Sequence, residues 1–165
     1  MPGITGFIEA ITVLSPAAFE LNSKSNLFSL YVFDQVIGSR NGAHTGISEE
    51  TTRDLMKNHF NEEGPSLEKW KSNPFLALIL FRQLQEEFGW ELFKTTFKKY
   101  HSFTDEQRPK DNQAKRDTLL TFLSVSAQRD FSGFFEAWGL PVSADTRNKL
   151  NRYESWMPTN FPPKG

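Results

Sequence analysis

Residues 73–101 read NPFLALILFRQLQEEFGWELFKTTFKKYH, and the single glycine in the middle decides how the chain is built. Asn73-Pro74 is a helix-start signal, because proline at the first helical position lacks an N–H that would go unpaired anyway. From Phe75 to Phe81 apolar residues wrap almost the whole circumference, the mark of a buried helix. Leu84 and Phe88 continue one face. Gly89 is predicted to end the helix as a left-handed residue that closes its last carbonyls. Trp90, Phe93, Phe97 and Tyr100 then form one stripe of a second helix set at a new angle. The stretch is predicted to be an αα-hairpin.

Working outward, the same signals give helices on both sides. Ser15-Pro16 opens a helix that runs to Ile37 and closes at Gly38, with Leu27, Leu30, Tyr31, Val32 and Phe33 near the helical period. SRNGAHTGIS (39–48) is a loop by its glycines. Ser48 caps a helix to Phe60 with Glu49 and Glu50 at the positive end of its dipole. A short helix over Leu67–Lys71 follows. Beyond the hairpin, TDEQRPKDNQ (104–113) is a polar connection, and a helix from Gln113 to Ala127 presents Leu119, Leu120, Phe122, Leu123 and Val125. Asp130 caps a helix bearing Phe131, Phe134, Phe135 and Trp138 at i, i+3, i+4 and i+7, ended by Gly139 and Pro141. Ser143 caps a last helix to Tyr153. The tail, with its prolines, is predicted to be extended. The fold class is all-α, a compact domain of about seven helices.

Composition sets the limits. The chain has 165 residues, 16 Phe and four Trp, enough to bury roughly 70% of the unfolded surface around an aromatic core. Nineteen basic against 20 acidic residues leave a net charge of −1, so no global field draws nucleic acid or an anionic membrane. Without cysteine there is no disulfide, thiolate zinc site or cysteine nucleophile. A reducing compartment fits this. The longest apolar run, PFLALILF, is far too short for a transmembrane segment.

Catalytic patterns are sparse. His44, His59 and His101 have no second histidine at helical spacing, so the His-x-x-x-His zinc pattern is lacking. His59 with Glu62 and Glu63 reads as a solvated acidic helix end rather than a ligand pair, and His44 as an exposed loop residue. No Gly-x-Ser-x-Gly elbow or phosphate loop occurs. Glu49/Glu50, Glu62/Glu63 and Glu86/Glu87 are neighbours in sequence and do not face each other on a helix. Lys94, Lys98, Lys99, Tyr100 and His101 read as cations complementing a helix C-terminus, with a phosphate or acidic-partner site as the alternative.

Several segments occur together in a familiar order: SNLFSLYVFDQVIG (25–38), residues 73–100, PKDNQAKRD (109–117), FFEAWGLPVS (134–143) and ESWMP (154–158). As a set they resemble the C-terminal helical half of the enhancin-like, mucin-degrading zinc metallopeptidase domain, a gluzincin-like fold. The vertebrate TRP-channel-associated factors carry a divergent copy. The resemblance covers the helical domain over 22–158, which leaves a leader over 1–21, its residues 1–14 a strand or disordered by their β-branched character, and an extended tail over 159–165. It also implies that a third zinc ligand, a glutamate, belongs where Asn22 stands. Glu20 lies about 200° around a helix from that position and is no simple substitute.

No histidine precedes that point, so the resemblance implies no catalytic or metal residues and no cofactor, zinc being held in active relatives alone. The expected function is a non-catalytic protein-interaction module, its partner a protein such as a cation channel whose trafficking it affects. It is expected to be cytoplasmic and peripheral at the plasma membrane, with no nucleic-acid partner. The alternative is one half of a secreted zinc metallopeptidase acting on glycoproteins, its zinc-binding half supplied elsewhere. A folded fragment without a function of its own stays open too.

Overall fold

The computed structural model describes residues 21–38 and 48–163. The readings for 1–20, including the leader, the Ser15-Pro16 start and Glu20, fall outside those residues, as do the 39–47 loop with His44. Seven α-helices occur among the described residues: α1 (Leu21–Val32, continued by a π-helical turn, Phe33–Ile37), α2 (Glu49–His59), α3 (Leu67–Ser72), α4 (Pro74–His101), α5 (Asn112–Ala127), α6 (Ser132–Ala137) and α7 (Ala144–Leu150). The domain is all-α. No helix among them is long and apolar enough to cross a membrane.

Side-chain caps fix most of the starts. Ser48 accepts from the Thr51 amide, Ser66 from Lys69, Asn73 from Phe75, Asp111 from Ala114 and Ser143 from Thr146. Each satisfies an amide that the helix itself leaves unpaired. Asp130 acts one residue earlier than predicted: its carboxylate accepts from Ser132 at 2.8 Å, while Phe131 occupies the cap position. α7 stops at Leu150 rather than Tyr153, as the chain turns through Asn151 and Arg152.

Gly89 does what the sequence asks, by a different conformation. Its φ of 71° comes with ψ of −178°, the extended positive-φ region that glycine alone visits freely, rather than a left-handed cap. The two halves of α4 therefore join with no loop between them. Phe81 and Phe93, twelve residues apart, would sit about 18 Å apart along a straight helix. Their ring centroids lie at 5.9 Å, edge to face. The chain folds back sharply.

Each half then collects its own neighbours. Leu76–Phe81 and Leu84 are buried, as are Trp90, Phe93, Phe97 and Tyr100 on the second half. α5 lies along the second half, where Tyr100 meets Phe122 edge-on at 4.9 Å. α1 packs on the bend through Tyr31, whose ring meets Trp90 at 5.1 Å. α6 is tied to the first half by Trp138, which donates its indole N–H to Gln83.

The segment after Tyr153 lacks helix yet folds back on the domain. Asp130 and Trp156 exchange backbone hydrogen bonds with it, Asp130 N–H to Glu154 and Trp156 N–H to Asp130. Trp156 packs against Phe88, Phe131 and Phe134, and Phe161 stacks on Trp138 at 5.6 Å. The packed unit thus runs past residue 158.

His59 corrects the reading of a solvated helix end. It is 2% exposed, and its Nε2 lies 3.0 Å from the Trp138 carbonyl, beside the Trp138 ring. A carbonyl only accepts, so Nε2 carries the proton and Nδ1 is left as a buried lone pair without a partner. Protonation would create a buried cation with an unmatched donor. Burial, helped by the positive charge of Lys69 and opposed by the Trp138 bond, lowers its pKa below 6.5.

Two outcomes follow from this packing. A Cβ at Gly139 would stand 2.6 Å from the Ser66 amide nitrogen at φ +79°, whereas one at Gly89 meets nothing within 4 Å. Gly139→Ala should cost about 3–5 kcal/mol and Gly89→Ala about 1–3 kcal/mol in urea unfolding; equal losses would contradict the assigned geometry. For His59 the folded pKa lies under the unfolded one, so its contribution is complete above pH 6.5 and lost as pH falls through the folded value. Wild type should lose stability below pH 6.5, and His59→Gln should lack that component.

Candidate functional site

The bend at Gly89 opens a cleft of about 390 Å³ whose wall carries charge. α4 supplies Arg82, Gln85, Glu86, Gly89 and Trp90, and α1 with its π-helical turn supplies Leu30 and Asp34. A π turn holds one residue more than an α turn and often occurs at functional sites. Here it carries Asp34 against α4, where the Trp90 indole N–H donates to its carboxylate at 2.5 Å. The Gln35 side chain donates to the same oxygen at 3.1 Å.

Across the cleft, Arg82 Nε donates to Glu86 at 2.8 Å. All three charged side chains lining the cavity, Asp34, Arg82 and Glu86, are thus engaged by the protein itself. Asp34 holds the Trp90 ring in place and Arg82 is matched one helical turn on. Among the described residues no Ser, Thr, Cys, Lys or His lines this wall to serve as a nucleophile with an adjacent base.

The residues singled out from sequence do not converge there. Asn22 lies in the first turn of α1, and an amide cannot supply the anionic oxygen that a glutamate gives to zinc. His59 is enclosed under α2, and His101 is exposed at the end of α4. Glu49 and Glu50 stand exposed in the first turn of α2; Glu63 pairs with Lys69 at 3.0 Å, and Glu86 with Arg82. Lys94 pairs with Glu91 and lies over the Tyr31 ring, and the Tyr100 hydroxyl is buried, so the basic helix end is partly spent on packing. Among the described residues no three His, Asp or Glu side chains group closely enough to hold a metal ion. The residues described do not fit a zinc centre.

Sequence reasoning missed the Asp34–Trp90 bond and the burial of His59. Asp34 had a signal: one acid amid Tyr31, Val32, Phe33, Val36 and Ile37 needs a partner when its helix packs. His59 had none, since its partner is 79 residues away.

Residues 23–139 match the family described as peptidase M60, enhancin and enhancin-like. The chain is 38% identical over 132 residues to a mouse protein named TRPM8 channel-associated factor 2, and 36% identical to a zebrafish TRPM8 channel-associated factor homolog. The human TRPM8 channel-associated factor 2 is 33% identical over 133 residues. These matches take in 79–80% of the chain but 14% of each relative, so the chain spans about one seventh of their length. A solved structure of a conserved protein of unknown function from Bacillus anthracis superposes with a TM-score of 0.64 over 82% of this chain and 27% of that one. At 22% identity it shows the shared fold. By the family match and by identity to these relatives, the chain belongs to the peptidase M60, enhancin and enhancin-like family.

Proposed function

We propose that the chain is a non-catalytic domain that binds a partner protein, in the manner of a divergent peptidase fold retained for its surface. The observation that carries this reading is the 38% identity to a relative named for association with the TRPM8 channel. A cation channel, and its delivery to the plasma membrane, is the partner system proposed. The domain would then work in the cytoplasm, peripheral to that membrane and without a cofactor.

Residue chemistry supports the same reading. By the resemblance, Asn22 stands where the family's zinc would require a carboxylate, and the charges of the Gly89 cleft are matched internally. Buried aromatic contacts give a rigid scaffold, and rigid elements present a binding surface at low entropic cost. The family match favours a second reading, in which these helices form one wall of a glycoprotein-cleaving zinc peptidase whose metal-holding half lies elsewhere.

One pair of assays separates the two. The purified chain should bind immobilised cytosolic segments of TRPM8 with a Kd in the micromolar range or tighter. It should leave a mucin-type glycopeptide intact, by mass spectrometry, after overnight incubation with added zinc. Cleavage of the glycopeptide would support the peptidase reading, and failure to bind any channel segment would remove the proposed partner.

A further inference from the structure

A second concavity, of about 590 Å³, is lined mainly by α2 and the turn after it and shares no residue with the Gly89 cleft. Its α2 face is one helical stripe: Arg53, Met56, Lys57 and Phe60 stand at i, i+3, i+4 and i+7. Met56 and Phe60 are half-buried and form an apolar floor, closed at one edge by Pro163 from the folded-back tail. Arg53 and Lys57 are exposed above that floor, in a protein whose net charge is −1.

Several other basic side chains on the surface pair with neighbouring acids: Lys69 with Glu63, Lys71 with Glu68, Lys94 with Glu91 and Arg108 with Asp105. Nothing comparable is seen at Arg53 or Lys57 among the described residues. The floor is held from beneath, because Phe60 meets Trp138 at 5.2 Å and Phe161 at 5.3 Å, both edge to face. Glu62 also lines the groove and repels an acid placed beside it, so the carboxylates of an occupant belong at Arg53 and Lys57.

We propose that this groove is the docking surface for a short acidic peptide segment of a partner protein. The segment places carboxylates on Arg53 and Lys57 and an apolar side chain over Met56 and Phe60. Cations over an apolar floor favour this occupant: the carboxylates are steered and oriented by charge, and the apolar anchor supplies the buried contact. The inference rests on the partner-binding reading above and names where on the domain that binding occurs.

The test uses the full chain and a fluorescein-labelled octapeptide, Glu-Asp-Glu-Leu-Phe-Glu-Asp-Glu, followed by fluorescence anisotropy. Two control peptides replace Leu-Phe by Gly-Ser, or every acid by its amide. The parent peptide should bind in the tens of micromolar, and each control at least tenfold more weakly. The doubly substituted protein, Arg53→Glu with Lys57→Glu, should lose at least tenfold while keeping its circular dichroism, since both side chains are exposed. Unchanged affinity in that protein, or equal affinity for the amide peptide, would overturn the assignment. So would binding that appears only after deletion of residues 1–20, which would make the chain's own N-terminal segment the occupant. If TRPM8 segments bind the wild-type and doubly substituted proteins equally, the groove is refuted while the partner-binding reading stands.

Discussion

The fold depends on a single backbone constraint, the reversal of α4 at Gly89. A helix of 28 residues that ran straight would extend about 42 Å and could not bury both its halves in a domain of this size. The positive φ and extended ψ at residue 89 let the halves fold together, and Phe81 meets Phe93 across the bend. Every other element takes its place from that geometry. α5 covers the second half, α6 and the tail cover the first, and α1 closes the bend with Tyr31, Asp34 and Trp90.

The aromatic load is what makes the reversal stable. Trp138 is fully buried and sits among His59, Phe60 and Phe161, with its indole N–H donated to Gln83. Such rings remove large apolar areas from water, and edge-to-face pairs add a further ~0.5–1.5 kcal/mol each. The same cluster helps fasten α2 to the domain through His59 and Phe60, beside the core packing of Leu55 and Met56. Scaffold and groove are therefore one structure, since the face of α2 that touches Trp138 adjoins the face that carries Arg53 and Lys57.

Much of this was legible in the residues. The caps at Ser48, Asn73 and Ser143, the stripe Trp90–Phe93–Phe97–Tyr100 and the cluster Phe131–Phe134–Phe135–Trp138 are local patterns, and local patterns survive folding. The turn at residue 89 was legible too, but its dihedral angles were not, because glycine permits several reversals and tertiary packing selects among them. Phe161 and His59 were hidden for a different reason. Each is buried by residues far away in sequence, and a polar neighbourhood such as HFNEE or TNFPPKG gives no hint of it. The π turn after α1 was likewise silent, and it carries the Asp34 carboxylate that accepts from Trp90, 56 residues away in sequence.

The functional account turns on what this family fold keeps and what it has exchanged. Residues 23–139 match the enhancin-like family, and the proposed loss of zinc chemistry rests on the resemblance by which Asn22 stands where a zinc-binding glutamate is expected. Neutral amides bind zinc poorly beside carboxylates, imidazoles and thiolates. Metal content of the purified 165-residue chain tests this most directly. After dialysis against micromolar zinc and then metal-free buffer, elemental analysis should find far less than one zinc per chain. One tightly retained equivalent, lost on replacing the chain's own side chains, would contradict the account.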